Sequence, residues 1–219
     1  MSGGQHFQHS GDGHNILNGY RPRDTGYSNE DAAVLYEDPC ARFFQIKSAS
    51  IGNILISFEQ NVWATSTINE SIFTQAFESA PFVIFLFSVN KSGCFCGYSL
   101  MKSKPGLAKG PSGVFKTNEN VTYRGQSFDV EWIRIITLNF IECNELKNPL
   151  NFNKSVRIAK DGQEIDRDVG KKLCQLIEME WKTYLNSTKR FLPPTKTLSS
   201  SQYVKMEFLK IWKMEFLKF

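Results

Sequence analysis

The sequence predicts a domain of the α/β class, more narrowly α+β, in which strands and amphipathic helices alternate along the chain. The chain has 219 residues, of which 41% are apolar and 13% aromatic, which suffices for one domain with a substantial core. Residues 51–58 place apolar side chains at i, i+3, i+4 and i+7, the spacing of one helix face. Residues 82–89 form a continuous apolar run, and a Ser-Gly turn separates them from a second apolar segment at 94–101. These patterns predict both helices and paired strands.

The first five elements follow from local patterns in chain order. A strand is predicted over 42–46, and the amphipathic helix over 51–58 follows it. A second helix over 69–79 repeats the same apolar spacing. The run at 82–89 suits a strand that is buried on both faces, and 94–101 is predicted to be its partner across the turn.

The later part of the chain begins with a long loop. Residues 102–125 are rich in glycine and basic residues, and loops of this length usually carry function or are disordered. Apolar alternation predicts a strand over 128–136, and a further short strand is predicted at 156–158. Residues 166–185 have the apolar positions of a last helix.

Composition divides the chain into three parts. Residues 1–39 contain two basic and six acidic residues and little apolar periodicity, which predicts a disordered N-terminal tail in which 31–36 can dock as a short helix. Residues 40–190 have the composition of a folded domain. Residues 191–219 form a basic, apolar C-terminal tail. Protein partners, where they exist, are expected at the tails, and the domain itself is expected to be a monomer.

The positions of the histidines restrict the chemistry. His6, His9 and His14 all fall in the predicted tail, so the domain has no histidine for a catalytic triad or a zinc site. Asp166 and Asp168 are the nearest carboxylate pair, but residues at i and i+2 of a helix do not converge. No phosphate-binding loop or dinucleotide fingerprint is present. The sequence therefore predicts a protein that is not an enzyme and that uses neither a metal nor a cofactor.

The cysteines and the apolar runs indicate the compartment. Five cysteines at irregular spacing do not make a disulfide framework, so we expect reduced, structural thiols in an intracellular protein. Cys94 and Cys96 form a C-x-C pair whose side chains lie on one face of a strand. No apolar run reaches the length of a membrane span, and the N-terminus lacks the pattern of a signal peptide.

Basic residues are interleaved with aromatic residues and glycine. The lysines of the long loop, with Lys47, Arg157 and Lys160, can contact phosphates, and aromatic rings such as Trp63 and Phe115 can stack on bases. This combination is typical of proteins that bind single-stranded nucleic acid. Lysines in loops are more often only solvated, so composition alone leaves both interpretations open.

The order of short motifs is more specific. The chain carries Phe-Phe-Gln-Ile-Lys-Ser at 43–48, Asn-Val-Trp-Ala-Thr at 61–65, Ile-Phe-Leu-Phe-Ser-Val-Asn at 84–90, Phe-Asp-Val-Glu-Trp-Ile at 128–133 and Val-Arg-Ile-Ala-Lys-Asp-Gly-Gln-Glu-Ile at 156–165. In this order the motifs resemble a YTH domain, the family that binds RNA containing N6-methyladenosine (m6A). The resemblance covers about residues 40–179 and is closest to YTH domains of the nuclear, polyadenylation-factor type. It implies a curved, barrel-like mixed β-sheet flanked by helices, and a nuclear RNA-binding module without catalysis, with the cytoplasm as the alternative location.

The resemblance also implies roles for individual residues. The aromatic cage around the methylated base would be formed by Trp63, Phe115, Tyr123 and Arg124. Hydrogen bonds to the base would come from Asn53, Ala64 and Ser48, with the Ala64 backbone carbonyl accepting the remaining N6–H. The RNA backbone and the following nucleotide would be contacted by Lys47, Arg157, Lys160 and Asp161.

Four positions depart from the family pattern. Phe115 stands where relatives usually carry a second Trp, and Arg124 stands where they carry Trp, Tyr or Leu. Ala49 replaces an Asn that reads another edge of the base, and Lys160 often corresponds to Arg, which gives a bidentate phosphate contact that Lys cannot give. These departures keep an alternative open, in which a degenerate YTH fold binds RNA or a protein partner without selecting for the methyl group.

Overall fold

Strands and helices alternate along the chain in the computed structural model, which describes residues 25–188. The helices in this range are α1 (Asn29–Glu37), α2 (Ile51–Gln60), α3 (Thr67–Ser79) and α4 (Arg167–Thr188), with a short 3-10 helix at Pro149–Asn151. The strands are β1 (Arg42–Ser48), β2 (Val62–Thr65), β3 (Val83–Val89), β4 (Cys94–Met101), β5 (Gln126–Asn139), β6 (Lys147–Asn148), β7 (Lys154–Ser155) and β8 (Gln163–Ile165). The α/β class predicted from sequence is confirmed.

Six of these strands form one mixed sheet in the order β2-β5-β4-β3-β1-β8. β1 and β3 are parallel, because α2, β2 and α3 form the crossover between them, and the other neighbours are antiparallel. β5 is 14 residues long and pairs with both β2 and β4. The sheet curves into a half-barrel flanked by the four helices, as the resemblance implies.

Successive side chains of the strands enter two separate cores on opposite sides of the sheet. On β1, Phe43 and Phe44 belong to different cores, as strand alternation requires. We call one core the aromatic side, whose rings include Phe44, Trp63, Phe73, Phe85, Phe87, Phe128 and Trp132. We call the other the α4 side, in which the sheet packs against Leu173, Cys174, Ile177 and Trp181 of α4. Every residue of β3 is buried, which confirms the predicted two-sided strand.

A buried ion pair lies within the α4 side. Arg134 of β5 is fully buried, and its Nε lies 3.0 Å from Glu178 Oε1 of α4. Tyr98 donates its hydroxyl hydrogen to the same carboxylate at 2.6 Å, and the guanidinium carbon lies 5.4 Å from the Trp181 ring centroid. The pair joins β4, β5 and α4 through fixed hydrogen-bond geometry.

α4 also approaches β1 very closely. A Cβ atom at Gly170 would lie 2.3 Å from the Phe43 ring, so no larger residue fits there without a shift of the helix. This contact fixes the distance between α4 and the sheet.

The folded unit begins earlier than predicted. Residues 29–37 of the predicted disordered tail form α1, which confirms that 31–36 can dock as a short helix. Ser28 caps α1 by accepting a hydrogen bond from the Asp31 N–H at 3.0 Å. Leu35 and Tyr36 are buried against the α4 side, and Lys171 of α4 forms an ion pair with Glu37. Contacts with a distant helix therefore stabilise a segment whose own composition is weakly apolar. The remainder of the predicted tails, 1–24 and 189–219, lies outside the described residues.

The prediction of a short strand at 156–158 is wrong. The strand lies two residues earlier at Lys154–Ser155, and residues 156–158 form a turn in which the Ile158 N–H bonds to the Ser155 carbonyl at 2.8 Å. The Val156 side chain is buried on the α4 side. The apolar residue that suggested a strand thus anchors a turn.

Candidate nucleic-acid interface

Trp63 lies where β2, the edge strand of the sheet, meets the aromatic core. Its ring contacts Phe87 in an edge-on arrangement with 5.0 Å between centroids. It also contacts Phe115 of the long loop, again at 5.0 Å, with 54° between the ring planes. Trp63 is only 6% exposed, and Phe115 is 3% exposed. The structure therefore brings together the two rings predicted as cage walls, in direct contact with each other.

The backbone of the loop holds Phe115 in a small hairpin. The Tyr123 N–H donates to the Phe115 carbonyl at 2.8 Å, and the Thr117 N–H donates to the Val121 carbonyl at 2.8 Å. Lys116 and Thr122 form an isolated β-bridge between these pairs. Phe115 thus occupies a defined position even though it belongs to no strand of the sheet.

Tyr123 and Arg124 occupy different environments. Tyr123 is half-buried against the aromatic side, and burial raises the pKa of its hydroxyl, with a further contribution from the nearby charge of Asp161. Arg124 is exposed and does not belong to the aromatic core. Of these two predicted cage residues, Tyr123 is therefore the one that the structure packs against the aromatic side.

Asn53 connects α2 to this hairpin. Its Nδ2 donates to the Lys116 carbonyl at 2.8 Å, and its Oδ1 accepts from the Lys116 N–H at 3.0 Å. The side chain is buried. Asn53 therefore fixes the residue next to Phe115, a role that the sequence did not indicate. The second hydrogen of Nδ2 leaves one donor for the predicted contact with the base.

Ala64 has the backbone orientation that its predicted role requires. The Val130 N–H donates to the Asn61 carbonyl at 2.9 Å, which makes that pair a hydrogen-bonded one. Bonded and non-bonded pairs alternate in an antiparallel ladder, and Ala64 pairs with Ser127 three positions further along β2. The Ala64 carbonyl therefore points away from β5, and it is not used in this ladder.

Ser48 is placed less favourably for contact with a base. Its side chain is buried at the end of β1, and its hydroxyl donates to the Ser50 carbonyl at 2.7 Å. The Ser50 N–H in turn lies 3.4 Å from the Ser48 Oγ. The hydroxyl thus holds the turn that leads into α2.

Asp161 joins three parts of the interface. Its Oδ1 accepts from the Lys47 N–H at 2.9 Å, and its Oδ2 accepts from Asn69 Nδ2 of α3 at 3.1 Å. Burial raises the pKa of the Asp161 carboxyl, although these hydrogen bonds act in the opposite direction. The next residue, Gly162, has φ of +76°, and a Cβ there would lie 2.4 Å from Asn69. Asp161 therefore holds β1, α3 and the start of β8 together.

The basic residues surround this junction. Lys47 is half-buried, and burial lowers the pKa of its amine. Arg157 and Lys160 are exposed on the segment that leads into Asp161. All three residues predicted to contact phosphates thus lie on the segment that leads into Asp161 or are bonded to Asp161.

The cysteines contribute to the core beneath the site. Cys94 and Cys96 are buried free thiols on the aromatic side. A hydrogen bond between them lowers the pKa of Cys94 to about 7 and raises that of Cys96.

Within residues 25–188, no cluster of three or more His, Cys, Asp and Glu side chains is arranged to hold a metal ion. No helix in this range has the length and apolar content needed to cross a membrane.

The fold and the site define a class of protein. Residues 41–178 match the family model described as "YTH: YT521-B-like domain". The chain belongs to the YTH family.

Among curated proteins the chain is similar to two plant proteins. It is 35% identical over 140 residues to zinc finger CCCH domain-containing protein 45 of Oryza sativa subsp. japonica. It is 37% identical over 139 residues to the 30-kDa cleavage and polyadenylation specificity factor 30 of Arabidopsis thaliana. Each match covers 64% of this chain, but only 21% and 22% of the respective relatives. The similarity therefore concerns one domain of longer proteins.

Solved structures match the same region. The Toxoplasma CPSF4 YTH domain in complex with a 7-mer m6A-modified RNA is 34% identical, with a TM-score of 0.58, over 64% of this chain and 92% of that one. The Pho92 YTH domain in complex with m6A is 25% identical, with a TM-score of 0.59, over 64% of this chain and 88% of that one.

Proposed function

We propose that this domain binds m6A in single-stranded RNA, without chemical change to the RNA, through Trp63 and Phe115. The observation that carries the proposal is the contact between these two rings at the edge of the aromatic side. Membership of the YTH family supports it, as do the related domains that were solved in complex with m6A-containing ligands.

The physics of the methyl group sets the expected selectivity. Stacking a base on an aromatic ring contributes about 1–3 kcal/mol, but unmethylated adenine gains most of it too. Burial of the methyl group adds about 0.8 kcal/mol. The Ala64 carbonyl can accept one N6–H, and a second N–H that faces the rings would lose its water at a cost of about 1–3 kcal/mol. Together these effects favour methylated RNA by about tenfold or more.

Entry of the base requires movement of Phe115. A base stacked between two rings needs about 7 Å between them, twice the contact distance of carbon atoms, whereas the centroids of Trp63 and Phe115 are 5.0 Å apart. Trp63 is held in a strand and packs on Phe87, whereas Phe115 belongs to a loop. We therefore assign the opening movement to the hairpin that carries Phe115.

The basic residues supply affinity without selectivity. Lys47, Arg157 and Lys160 are assigned to phosphates. Binding should therefore weaken as the salt concentration rises, because the counterions that the protein displaces from the RNA then gain less entropy. The resemblance of this domain to a polyadenylation factor supports a role in processing RNA in the nucleus. We further propose that the domain acts as a monomer and has no catalytic activity.

The direct test is the titration of one short single-stranded RNA, with and without a single N6-methyl group, at fixed salt. We expect tighter binding of the methylated strand by about tenfold or more. Equal affinities would contradict m6A recognition and would support the alternative, a YTH fold that binds RNA without methyl selectivity.

Trp63→Leu tests the assigned wall. Trp63 is also part of the core, so the variant needs a control with similar loss of packing. Trp181→Leu provides it, because Trp181 is 3% exposed but lies on the α4 side. We expect both variants to lose stability and only Trp63→Leu to lose the methyl preference. Equal methyl preference in the two variants would contradict the role of Trp63.

A further inference from the structure

Phe152 is an aromatic residue that no role described so far uses. It follows the 3-10 helix at Pro149–Asn151, and its side chain is 89% exposed. Its backbone φ is +53°, in the left-handed region that side chains with a Cβ rarely adopt. Asn153 beside it has φ of +55°. Phe152 thus combines an exposed apolar ring with an unfavourable backbone conformation. Unfavourable backbone conformations cluster at functional positions.

Hydrogen bonds from the surrounding side chains fix this conformation. Asn148 Oδ1 accepts from the N–H groups of Leu150 and Asp166, at 3.1 and 3.0 Å, and its Nδ2 donates to the Glu164 carbonyl at 2.8 Å. Asn151 Nδ2 donates to the Ile158 carbonyl at 2.6 Å across the turn. Phe152 is therefore presented by a preorganised loop that is anchored to β8.

The loop carries charge of one sign. Residues 147–160 contain Lys147, Lys154, Arg157 and Lys160 and no acidic residue. The Lys154 Nζ lies 5.7 Å from the centroid of the Phe152 ring. An exposed ring among cations complements a partner that has flat apolar faces and negative charge, which describes single-stranded nucleic acid.

The loop also continues into the candidate interface. Leu150 accepts a hydrogen bond from Gln163 Nε2 of β8 at 3.3 Å, and Asn151 lies against Ile158. The chain from 148 to 151 thus runs beside β8 toward the end at which Lys160 and Asp161 lie. Phe152 directly follows Asn151, which bonds to Ile158, a residue that lies in the sequence between Arg157 and Lys160 of the proposed RNA site.

We propose that Phe152 is a stacking platform for a base two or three nucleotides away from the modified adenosine. This inference rests on the proposed function in one respect: an adenosine, with or without its methyl group, must be bound at Trp63 and Phe115 for the more distant bases to reach the loop. Arg157 and Lys160 hold the phosphates between the two rings, and Phe152 supplies a sequence-tolerant contact that lengthens the RNA footprint.

The test compares a heptamer with m6A at its centre and a trinucleotide with m6A at its centre. Phe152→Ala should weaken binding of the heptamer about fivefold, the loss expected from one stacking contact, and leave the trinucleotide unchanged. Phe152→Trp should bind the heptamer at least as tightly as the wild type. Met179→Ala is the matched control, because Met179 is an exposed apolar residue of α4, and it should change neither affinity.

Abasic substitutions in the heptamer identify the base. At one position two or three nucleotides away from the m6A, removal of the base should weaken the wild type about fivefold and cause no further loss in Phe152→Ala. Heptamer binding that Phe152→Ala leaves intact would overturn the proposal, and so would equal losses for both RNA lengths. An effect of Phe152→Ala only on binding of a protein partner would also overturn it.

The outcome is separable from that of the proposed function. Stacking at Phe152 does not involve the methyl group, so the effect of Phe152→Ala should be equal for methylated and unmethylated heptamers. If the wild type shows no methyl preference while the loss in Phe152→Ala and its abasic match persist, m6A recognition fails and the platform stands. If the methyl preference is present and Phe152→Ala binds normally, the platform fails and m6A recognition stands.

Discussion

On the α4 side of the sheet a 22-residue helix covers the strands, whereas the aromatic side ends at a loop that carries Phe115. The helix is fixed at many points, among them the close contact of Gly170 with Phe43 and the buried pair of Arg134 and Glu178. On the loop, the buried side chain of Asn53 holds the backbone of Lys116, the residue beside Phe115. The α4 side is thus covered by one long helix, whereas the edge of the aromatic side is covered by the hairpin to which we assign the opening movement.

This difference indicates that the α4 side determines stability and that the loop of the aromatic side determines binding. Buried charges need fixed geometry. Each charge loses its hydration on burial, and only well-placed partners compensate for that loss of free energy. Aromatic rings tolerate rearrangement better, because their contacts are not directional to the same degree. We therefore expect changes on the α4 side to alter stability without altering selectivity, and changes at the loop to do the reverse.

The largest effect is expected for Glu178→Gln. The substitution leaves the fully buried Arg134 without a counter-charge, and loss of one partner of a buried pair costs about 3–5 kcal/mol. We expect a decrease of about 3 kcal/mol in the free energy of unfolding, measured with urea, because Gln keeps part of the hydrogen bonding. The ratio of affinities for methylated and unmethylated RNA should remain that of the wild type.

Glu180→Gln is the matched control on the same helix. Burial and the charge of Glu142 raise the pKa of the Glu180 carboxyl, so the folded state already disfavours its charged form. Removal of that charge should leave stability unchanged or slightly higher at neutral pH. A similar loss in both variants would show that the ion pair is not what stabilises the α4 side.

The sequence predicted the elements whose patterns are local. The helical spacing at 69–79 and the apolar run at 82–89 identify α3 and β3 almost to the residue. It allowed a short docked helix at 31–36, but it did not indicate where α1 packs, because the burial of α1 depends on α4, more than a hundred residues away. Nor did it indicate the Arg134–Glu178 pair, since charged residues on a strand and a helix usually face solvent.

The candidate site shows the same division. Trp63 and Phe115 were indicated by motifs, and the structure brings them into contact. The role of Asn53 required the loop to fold back over 63 residues to Lys116, which no local pattern specifies. No sequence pattern distinguishes Phe152, because its exposure and left-handed backbone are properties of the folded chain.

The second prediction concerns that link between α2 and the loop. Asn53→Ala removes two hydrogen bonds to Lys116, each contributing about 0.5–1.5 kcal/mol. We expect the affinity for methylated RNA to fall about tenfold, with faster hydrogen exchange at the Lys116 amide. Overall stability should change less than in Glu178→Gln, because the sheet is not involved.

Thr117→Ala is the control within the same hairpin. It removes the acceptor for the N–H groups of Glu119 and Val121, both at 3.3 Å, without touching Asn53. We expect a smaller loss of affinity than in Asn53→Ala and unchanged hydrogen exchange at the Lys116 amide. Unchanged exchange at Lys116 in Asn53→Ala would show that Asn53 does not hold the loop in solution.

The smallest effect is expected for the exposed charge of Lys160. A phosphate contact contributes equally to all sequences, so Lys160→Ala should weaken methylated and unmethylated RNA alike, by about threefold, and reduce the slope of log affinity against log salt by about one. Lys160→Arg should restore or increase affinity, because Arg binds phosphate through two parallel hydrogen bonds.

Lys172 is an exposed charge of α4 and provides the control. Lys172→Ala should leave both the affinity and the salt slope unchanged. If Lys172→Ala were as harmful as Lys160→Ala, RNA would be attracted by net charge alone and the two sides of the sheet would not differ in binding. A loss confined to methylated RNA in Lys160→Ala would instead place Lys160 at the base, because only contacts near the methyl group can distinguish the two RNAs.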